Sequence, residues 1–174
     1  DFSYPLPGQT ILDHVSAAGF EVVTVGKLDD IFNHEGMTHS IHVEDSSAAV
    51  EATLDLLNSE RNGLIFTNLI DFDMLYGHRR DPIGYARALE QADEFLGKAV
   101  DRLREYDLLI VTADHGNDPT FKGTDHTREY VPLLSLRKGR RGHQLGIRDG
   151  FYDVAQTIAD YFNVSPMPYG KSFL

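Results

Sequence analysis

The sequence predicts an α/β protein with a mostly parallel sheet and helices on both faces of that sheet. Apolar, β-branched runs of strand length alternate along the chain with helical segments, most of them longer than ten residues, an order typical of βαβ units. The 174 residues are 41% hydrophobic and 10% aromatic, which is enough for one ordinary domain with a packed core.

Two helices and two strands are predicted in the first half of the chain, in the order ILDHVSAA (helix), FEVVTVGK (strand), DSSAAVEATLDLLNSER (helix) and GLIFTNLI (strand). Thr10 can cap the first helix, and Gly19 can stop it. Asp45 or Ser46 can cap the second. The polar stretch from Asn33 to Asp45 holds three histidines at no regular metal spacing, and we interpret them as surface or loop residues.

The second half begins with the longest predicted helix. Pro82 stands at a first-turn position behind Asp81, and apolar residues recur at helical spacing as far as Leu103. The remaining predicted elements are the strands LLIVTA and YVPLLSL and a closing helix, DGFYDVAQTIADYF. Four strands are fewer than the about five to six of an average sheet, which suggests that part of the domain is missing.

Composition and charge exclude several classes of partner. A formal net charge of −11 disfavours nucleic acids and anionic membranes, because neutralising phosphates needs a surplus of Lys and Arg. The chain has no cysteine, so metal ligands must be histidine and carboxylate. No apolar run approaches the ~20 residues of a membrane span, and DFSYPLPGQT lacks the features of a signal peptide. We expect a soluble, cytoplasmic protein, truncated or processed because it begins with Asp1.

Polar clusters follow three of the predicted strands: Gly26–Asp30, Asp71–Arg80 and Asp114–His126. Ligands of an open parallel sheet bind outside the carboxyl ends of its strands, so we expect these clusters to converge.

The third cluster has the strongest metal pattern. Asp114 and His115 can share a site only if the strand has ended, as Gly116 suggests. His126 then returns eleven residues later. An Asp-His pair with a returning histidine suits Zn, Mn or Fe. The alternative is a capped loop with His126 exposed.

In the second cluster, Asp73 and His78 can complete a second metal ion, and Arg79 and Arg80 can clamp a phosphate with their planar guanidinium groups. The alternative makes the aspartates caps before a helix and the arginines a solvated rim.

The strings TADHGNDPTFKGTDHTREYVPLL, DFDMLYGHRRD and VGKLDDIF closely resemble the C-terminal part of the bacterial phosphopentomutases, two-metal enzymes of the alkaline phosphatase superfamily. The resemblance runs from about Gly8 to the terminal GKSFL. It implies that residues 1–174 are the C-terminal part of the metal-binding catalytic core domain, an incomplete alkaline-phosphatase-like core. It also implies interconversion of (deoxy)ribose 1-phosphate and (deoxy)ribose 5-phosphate through a phosphothreonine, with two divalent ions, usually manganese.

The family motifs also imply a division of ligands. Asp114 and His115 match the ligands of one metal, and the other metal has its ligands at three positions: Asp73, His78 and His126. Lys27 matches a family lysine at the substrate phosphate, and its place at a strand end favours the same role. The alternative for Lys27 is a surface charge beside two aspartates.

One departure from the family is large. The nucleophilic threonine, a further metal-ligating aspartate and the cap domain precede this region in phosphopentomutases, and none has a counterpart here. The implied partners are therefore a pentose phosphate and a missing N-terminal half, and the chain alone is expected to be inactive. Two rival interpretations stay open: a cofactor-independent phosphoglycerate mutase or phosphatase of the same superfamily, and a non-catalytic metal-binding or oligomerising half-domain.

Overall fold

The computed structural model describes residues 5–174, which form two compact units. The first unit contains the chain up to Glu44, with Ser59–Asn68 and Gln144–Leu174. The second unit contains Asp45–Asn58 and Leu69–His143. The expectations based on Asp1 and on the first residues of DFSYPLPGQT lie outside the described part of the chain.

The elements follow one another as α1 (Ile11–Ala17), β1 (Glu21–Val25), α2 (Leu28–Ile31), β2 (His39–Ile41), α3 (Ser46–Leu57), β3 (Gly63–Thr67), a π-helix (Phe72–Gly77), α4 (Pro82–Arg102), β4 (Leu108–Thr112), β5 (Leu133–Arg137) and α5 (Tyr152–Phe162). Helices α3 and α4 begin after side chains that bond free backbone amides. The Asp45 carboxylate accepts from the Ala48 amide at 2.8 Å before α3, and Asp81 accepts from Gly84 at 2.9 Å before α4.

The first unit holds a three-stranded parallel sheet in the order β2-β1-β3. Val23 of β1 pairs with His39 on one side and with Ile65 on the other. Residues 22–25 of β1 are at most 2% exposed, as expected of the central strand of a covered parallel sheet. The core beside this sheet contains Leu12 and Val15 of α1 and Val22 of β1.

Strand β2 lies inside the polar stretch from Asn33 to Asp45, for which the sequence predicts surface or loop histidines and no strand. One of these histidines, His39, begins β2 and is exposed. The strand is only three residues long, and two of its residues are exposed. It therefore has neither the length nor the alternation of apolar residues by which a strand is recognised.

In the second unit, α3 packs against α4, and β4 pairs with β5. This pairing is antiparallel, with Leu109 opposite Leu136, so the parallel arrangement predicted for the sheet describes the first unit but not this pair. Strand β5 begins at Leu133, directly after Pro132, because proline cannot donate a hydrogen bond to the ladder. The α/β class predicted from the sequence is confirmed.

Among residues 5–174, no helix combines the length and apolar character that crossing a bilayer requires.

Candidate metal centre

A π-helix places the first two candidate ligands side by side. The His78 amide donates to the Asp73 carbonyl at 3.0 Å, the i to i+5 bond that defines the wide turn of a π-helix. Residues five apart therefore lie on one side of the turn. Asp71, which directly precedes the π-helix, attaches it to the start of α3. The Ser46 amide donates to the Asp71 carboxylate at 3.1 Å, and the Asp71 amide donates to the Ser46 hydroxyl at 3.0 Å.

An isolated antiparallel bridge brings the third candidate ligand, His126, to this site. Gly116 pairs with Thr127, and the Thr127 amide donates to the Gly116 carbonyl at 3.0 Å. A Cβ atom at position 116 would lie 2.7 Å from the Thr127 carbonyl oxygen, so only glycine allows this approach. The bridge brings His126 next to His115, and their rings stack with centroids 3.7 Å apart.

Three donor atoms meet at the centre of this arrangement. The Nε2 atoms of His78 and His126 are 3.1 Å apart. The Asp73 Oδ1 atom lies 3.4 Å from the first nitrogen and 3.3 Å from the second. Metal–ligand bonds of about 2.0–2.1 Å in tetrahedral geometry put donors about 3.3–3.4 Å apart. The triangle therefore has the dimensions of a metal's coordination shell.

The chemistry of this donor set also fits a metal ion. Two imidazoles and one carboxylate are ligands that suit Zn, Mn and Fe. The three side chains are between one third and one half exposed, which leaves room for water or substrate in the open positions.

Hydrogen bonds orient the candidate ligands Asp73 and His78. The Nδ1 atom of His78 lies 2.6 Å from the Thr124 carbonyl oxygen, so Nδ1 carries the proton and Nε2 is left to accept a metal. The buried Asn117 amide donates to Asp73 Oδ1 at 2.6 Å and orients the carboxylate. Sequence reasoning missed Asn117, because one asparagine in a polar loop has no pattern that reveals its role.

Asp114 and His115 lie beside the triangle. The Oδ2 atom of Asp114 is 3.5 Å from the Nε2 atom of His115, and the Asp114 side chain is 82% exposed. The Nδ1 atom of His115 lies 3.2 Å from the Gly116 carbonyl oxygen, which again favours a free Nε2. This pair offers two donors, whereas the triangle offers three.

The predicted phosphate ligands have different surroundings. Arg80 points its guanidinium group at the loop between Asn117 and Asp125. Arg79 is exposed and donates from Nε to the Met74 carbonyl at 3.3 Å. Lys27 belongs to the first unit, where it follows β1 at the start of α2. It is preceded by Gly26, which has a φ of +106°, a conformation that only glycine adopts without strain.

A second group of possible donors lies in the first unit and contains Asp29, Asp30 and His34. The Asp29 side chain is 3% exposed, and its Oδ2 atom lies 2.7 Å from the Nε2 atom of His42. The side chains of Asp30 and His34 are about two thirds exposed. The 2.7 Å contact with His42 gives the buried Asp29 carboxylate a partner without a metal.

Two ionisable groups of the second unit, Tyr85 and Asp118, have shifted pKa values. Burial raises the pKa of the Tyr85 hydroxyl, and the negative charges of Asp73, Glu129 and Asp118 raise it further. The Thr120 hydroxyl and amide, which donate to Asp118, lower the pKa of that carboxyl. Tyr85 is therefore neutral and Asp118 ionised at neutral pH.

Comparison with known proteins identifies the class. Residues 12–166 match the family model described as the metalloenzyme superfamily, and the chain belongs to this superfamily. It is 52% identical over 178 residues to a phosphopentomutase of Caldanaerobacter subterraneus subsp. tengcongensis, 50% identical over 175 residues to one of Shewanella sp. (strain MR-4), and 47% identical over 174 residues to one of Clostridioides difficile (strain 630). The resemblance to phosphopentomutases predicted from the sequence motifs is confirmed.

The alignments cover 100%, 100% and 99% of this chain but 44%, 43% and 45% of the respective relatives. The chain therefore spans less than half the length of the relatives it matches.

Two solved structures share the fold. A phosphoglycerate mutase of Leishmania mexicana, solved at low cobalt concentration, superposes with a TM-score of 0.73 and 21% identity over 92% of this chain and 38% of that one. The PH0037 protein of Pyrococcus horikoshii superposes with a TM-score of 0.64 and 18% identity over 90% of this chain and 52% of that one. At these identities the likeness concerns the fold alone.

Proposed function

We propose that this chain is the C-terminal part of the catalytic domain of a phosphopentomutase, which interconverts (deoxy)ribose 1-phosphate and (deoxy)ribose 5-phosphate through a phosphothreonine. The identity of about half of the residues to phosphopentomutases over the entire chain supports this proposal. The single observation that carries it within the molecule is the triangle of Asp73, His78 and His126, whose donor atoms lie 3.1–3.4 Å apart.

Each cluster has a role in this proposal. Asp73, His78 and His126 hold one divalent ion, Mn²⁺. Asp114 and His115 contribute two ligands to a second ion. Bound ions of this kind polarise phosphoryl oxygens and lower the pKa of an attacking hydroxyl.

The chain's own residues orient these groups. The Thr124 carbonyl and the Asn117 amide hold His78 and Asp73 in position. In the second unit, Arg79 supplies positive charge to a substrate phosphate. For Lys27, in the first unit, the match to the family lysine supports the same role. The threonine nucleophile lies in the part of the enzyme that precedes this chain, so no residue here is assigned to the covalent step.

An assay of the complete enzyme tests the proposal. With Mn²⁺, it should convert ribose 1-phosphate to ribose 5-phosphate, and the 174-residue chain alone should show no turnover, because covalent phosphoryl transfer needs a positioned hydroxyl. As the matched comparison, the same enzyme is assayed with 3-phosphoglycerate under the same conditions. Turnover of 3-phosphoglycerate without turnover of ribose 1-phosphate would identify a phosphoglycerate mutase instead. Turnover by the isolated chain would show that a threonine within it serves as nucleophile.

A further inference from the structure

The Arg80 guanidinium group donates hydrogen bonds to the loop from Asn117 to Asp125, which directly precedes His126. Its Nη1 atom donates to the Asn117 side-chain oxygen at 2.9 Å and to the Asp118 carbonyl at 2.7 Å. Its Nη2 atom donates to the Asp125 carbonyl at 2.6 Å, and its Nε atom donates to the Gly123 carbonyl. An arginine has five N–H donors, so four of the five are directed at one loop.

These contacts connect Arg80 to two of the proposed metal ligands, Asp73 and His126. Asn117 accepts from Arg80 through its oxygen and donates from its nitrogen to Asp73 Oδ1, so the guanidinium group determines the orientation of the amide that holds this carboxylate. At the other end of the loop, the Asp125 carbonyl held by Arg80 directly precedes His126.

The backbone at Arg80 indicates that this placement is enforced. Its φ is +55°, a left-handed conformation that is costly for a long side chain and persists only where the surroundings impose it. The Arg80 amide donates to the Gly77 carbonyl at 3.1 Å, which closes the turn after the π-helix. This turn aims the side chain at the loop.

We propose that Arg80 is a positioning residue for the metal centre: it fixes the loop between Asn117 and His126 and, through Asn117, the Asp73 carboxylate. This inference rests on the metal centre of the proposed function and assigns Arg80 a role different from phosphate binding. The phosphate role remains with Arg79, whose guanidinium makes one contact, from Nε, among the described residues. Lysine cannot replace Arg80, because an ammonium group lacks the planar fork that reaches several carbonyls at once.

The test measures Mn²⁺ binding by the chain without any substrate. Arg80→Lys keeps the charge and removes the fork, and we expect about 10- to 100-fold weaker binding, the usual effect of losing a partner behind a metal ligand. Arg87→Lys is the matched control, because Arg87 is exposed on α4, and it should bind Mn²⁺ as the parent does. Trypsin should cleave after Lys122 faster in Arg80→Lys than in the control, because the loop is released.

A second variant distinguishes loss of the Arg80 side chain from misfolding of the chain. Arg80→Gly removes the backbone strain together with the side chain, and added guanidinium ion should restore part of its Mn²⁺ affinity. In the complete enzyme, raised Mn²⁺ should restore the activity of Arg80→Lys with an unchanged KM for ribose 5-phosphate.

Parent-like Mn²⁺ affinity in both variants, with a raised KM for ribose 5-phosphate, would overturn the inference and make Arg80 a phosphate ligand. A parent chain that binds no Mn²⁺ would overturn the metal centre itself. Tight Mn²⁺ binding without pentose phosphate turnover would contradict only the proposed substrate.

Discussion

Hydrogen bonds to backbone carbonyls decide which nitrogen of each histidine faces the candidate metal position. The Nδ1 atom of His78 is directed to Thr124, and that of His115 is directed to Gly116. In the neutral form of each ring, the proton on Nδ1 leaves Nε2 able to bind a metal. Individual residues in this centre therefore depend on the loop backbone as much as on their own chemistry.

The Asp29–His42 pair allows a test at the scale of single residues. The Asp29 carboxylate is buried, its Oδ2 atom lies 2.7 Å from His42, and its Oδ1 atom has no hydrogen-bond partner. Replacing His42 with alanine leaves the charge without its closest partner, which costs about 1–3 kcal/mol. We expect urea unfolding of His42→Ala to show this loss.

The matched control for this prediction is His34→Ala. His34 Nδ1 lies 3.6 Å from Asp29 Oδ2, beyond hydrogen-bond distance, so its removal should cost less than that of His42. In an Asp29→Asn background the effect of His42→Ala should shrink, because the charge that needs a partner is gone. Equal effects in both backgrounds would mean that the pair does not interact energetically.

At the scale of elements, the bridge between Gly116 and Thr127 joins the two halves of the candidate centre. It places His115 and His126 side by side although they are eleven positions apart in sequence. The π-helix does the same for Asp73 and His78. The bridge and the π-helix each bring two candidate ligands together through backbone hydrogen bonds. A change in the backbone at either place should therefore weaken metal binding.

Gly116→Ala tests the bridge. The added Cβ would lie 2.7 Å from the Thr127 carbonyl oxygen, so the strands of the bridge must separate and move His126. We expect Mn²⁺ binding to weaken about tenfold or more, measured by calorimetry. The control is Gly97→Ala in α4, where an added Cβ would meet no atom of the described residues within 4 Å apart from the helix's own backbone. It should leave binding unchanged and add up to about 1 kcal/mol of stability. Unchanged Mn²⁺ affinity in Gly116→Ala would show that the bridge does not position the ligands.

The attachment of the C-terminal segment to α5 has a predictable dependence on pH. The Asp153 carboxylate accepts from the Lys171 amide at 2.8 Å and from Arg148 Nε at 2.7 Å. The Lys171 amide is the main cause, and Arg148 a further one, of a lowered pKa at Asp153. A pKa lower in the folded state than the unfolded value of about 3.9 stabilises the fold above that value. This stabilisation is lost as the pH falls through the folded pKa.

We therefore expect the free energy of unfolding to fall below about pH 4 less steeply in Asp153→Asn than in the parent, with Asp153→Asn less stable at pH 7. Urea unfolding across pH 2.5 to 7 measures both. Asp101→Asn, at an exposed position of α4, serves as control and should follow the parent. Parallel curves for Asp153→Asn and the parent would remove Asp153 from the acid response.

For the whole molecule, the sequence was informative where local patterns repeat and uninformative where contacts are distant. The central strand β1 could be predicted from its run of β-branched residues, and the long helix α4 because apolar residues recur at helical spacing. The π-helix could not, because Asp73 and His78 meet through an i to i+5 bond that a helical pattern does not reveal. The antiparallel pairing of β5 and the contacts of Arg80 depend on residues distant in sequence, which one sequence alone does not identify.

The ligand count predicts how the chain binds metal. Three donors, from Asp73, His78 and His126, can hold an ion whose open positions take water. The two donors of Asp114 and His115 leave a second ion mostly hydrated, and so weakly bound. The chain spans less than half the length of its phosphopentomutase relatives, and the proposed function places the missing ligands of that second ion in the remainder.

Calorimetric titration of the metal-free chain with Mn²⁺ tests this central claim most directly. One ion should bind much more tightly than a second. The tight site should disappear in His126→Ala and His78→Ala and largely persist in Asp114→Asn. His143→Ala, which changes an exposed histidine outside both clusters, should titrate as the parent does. Two equally tight ions, or a tight site abolished by Asp114→Asn and indifferent to His126→Ala, would contradict the division of ligands described above.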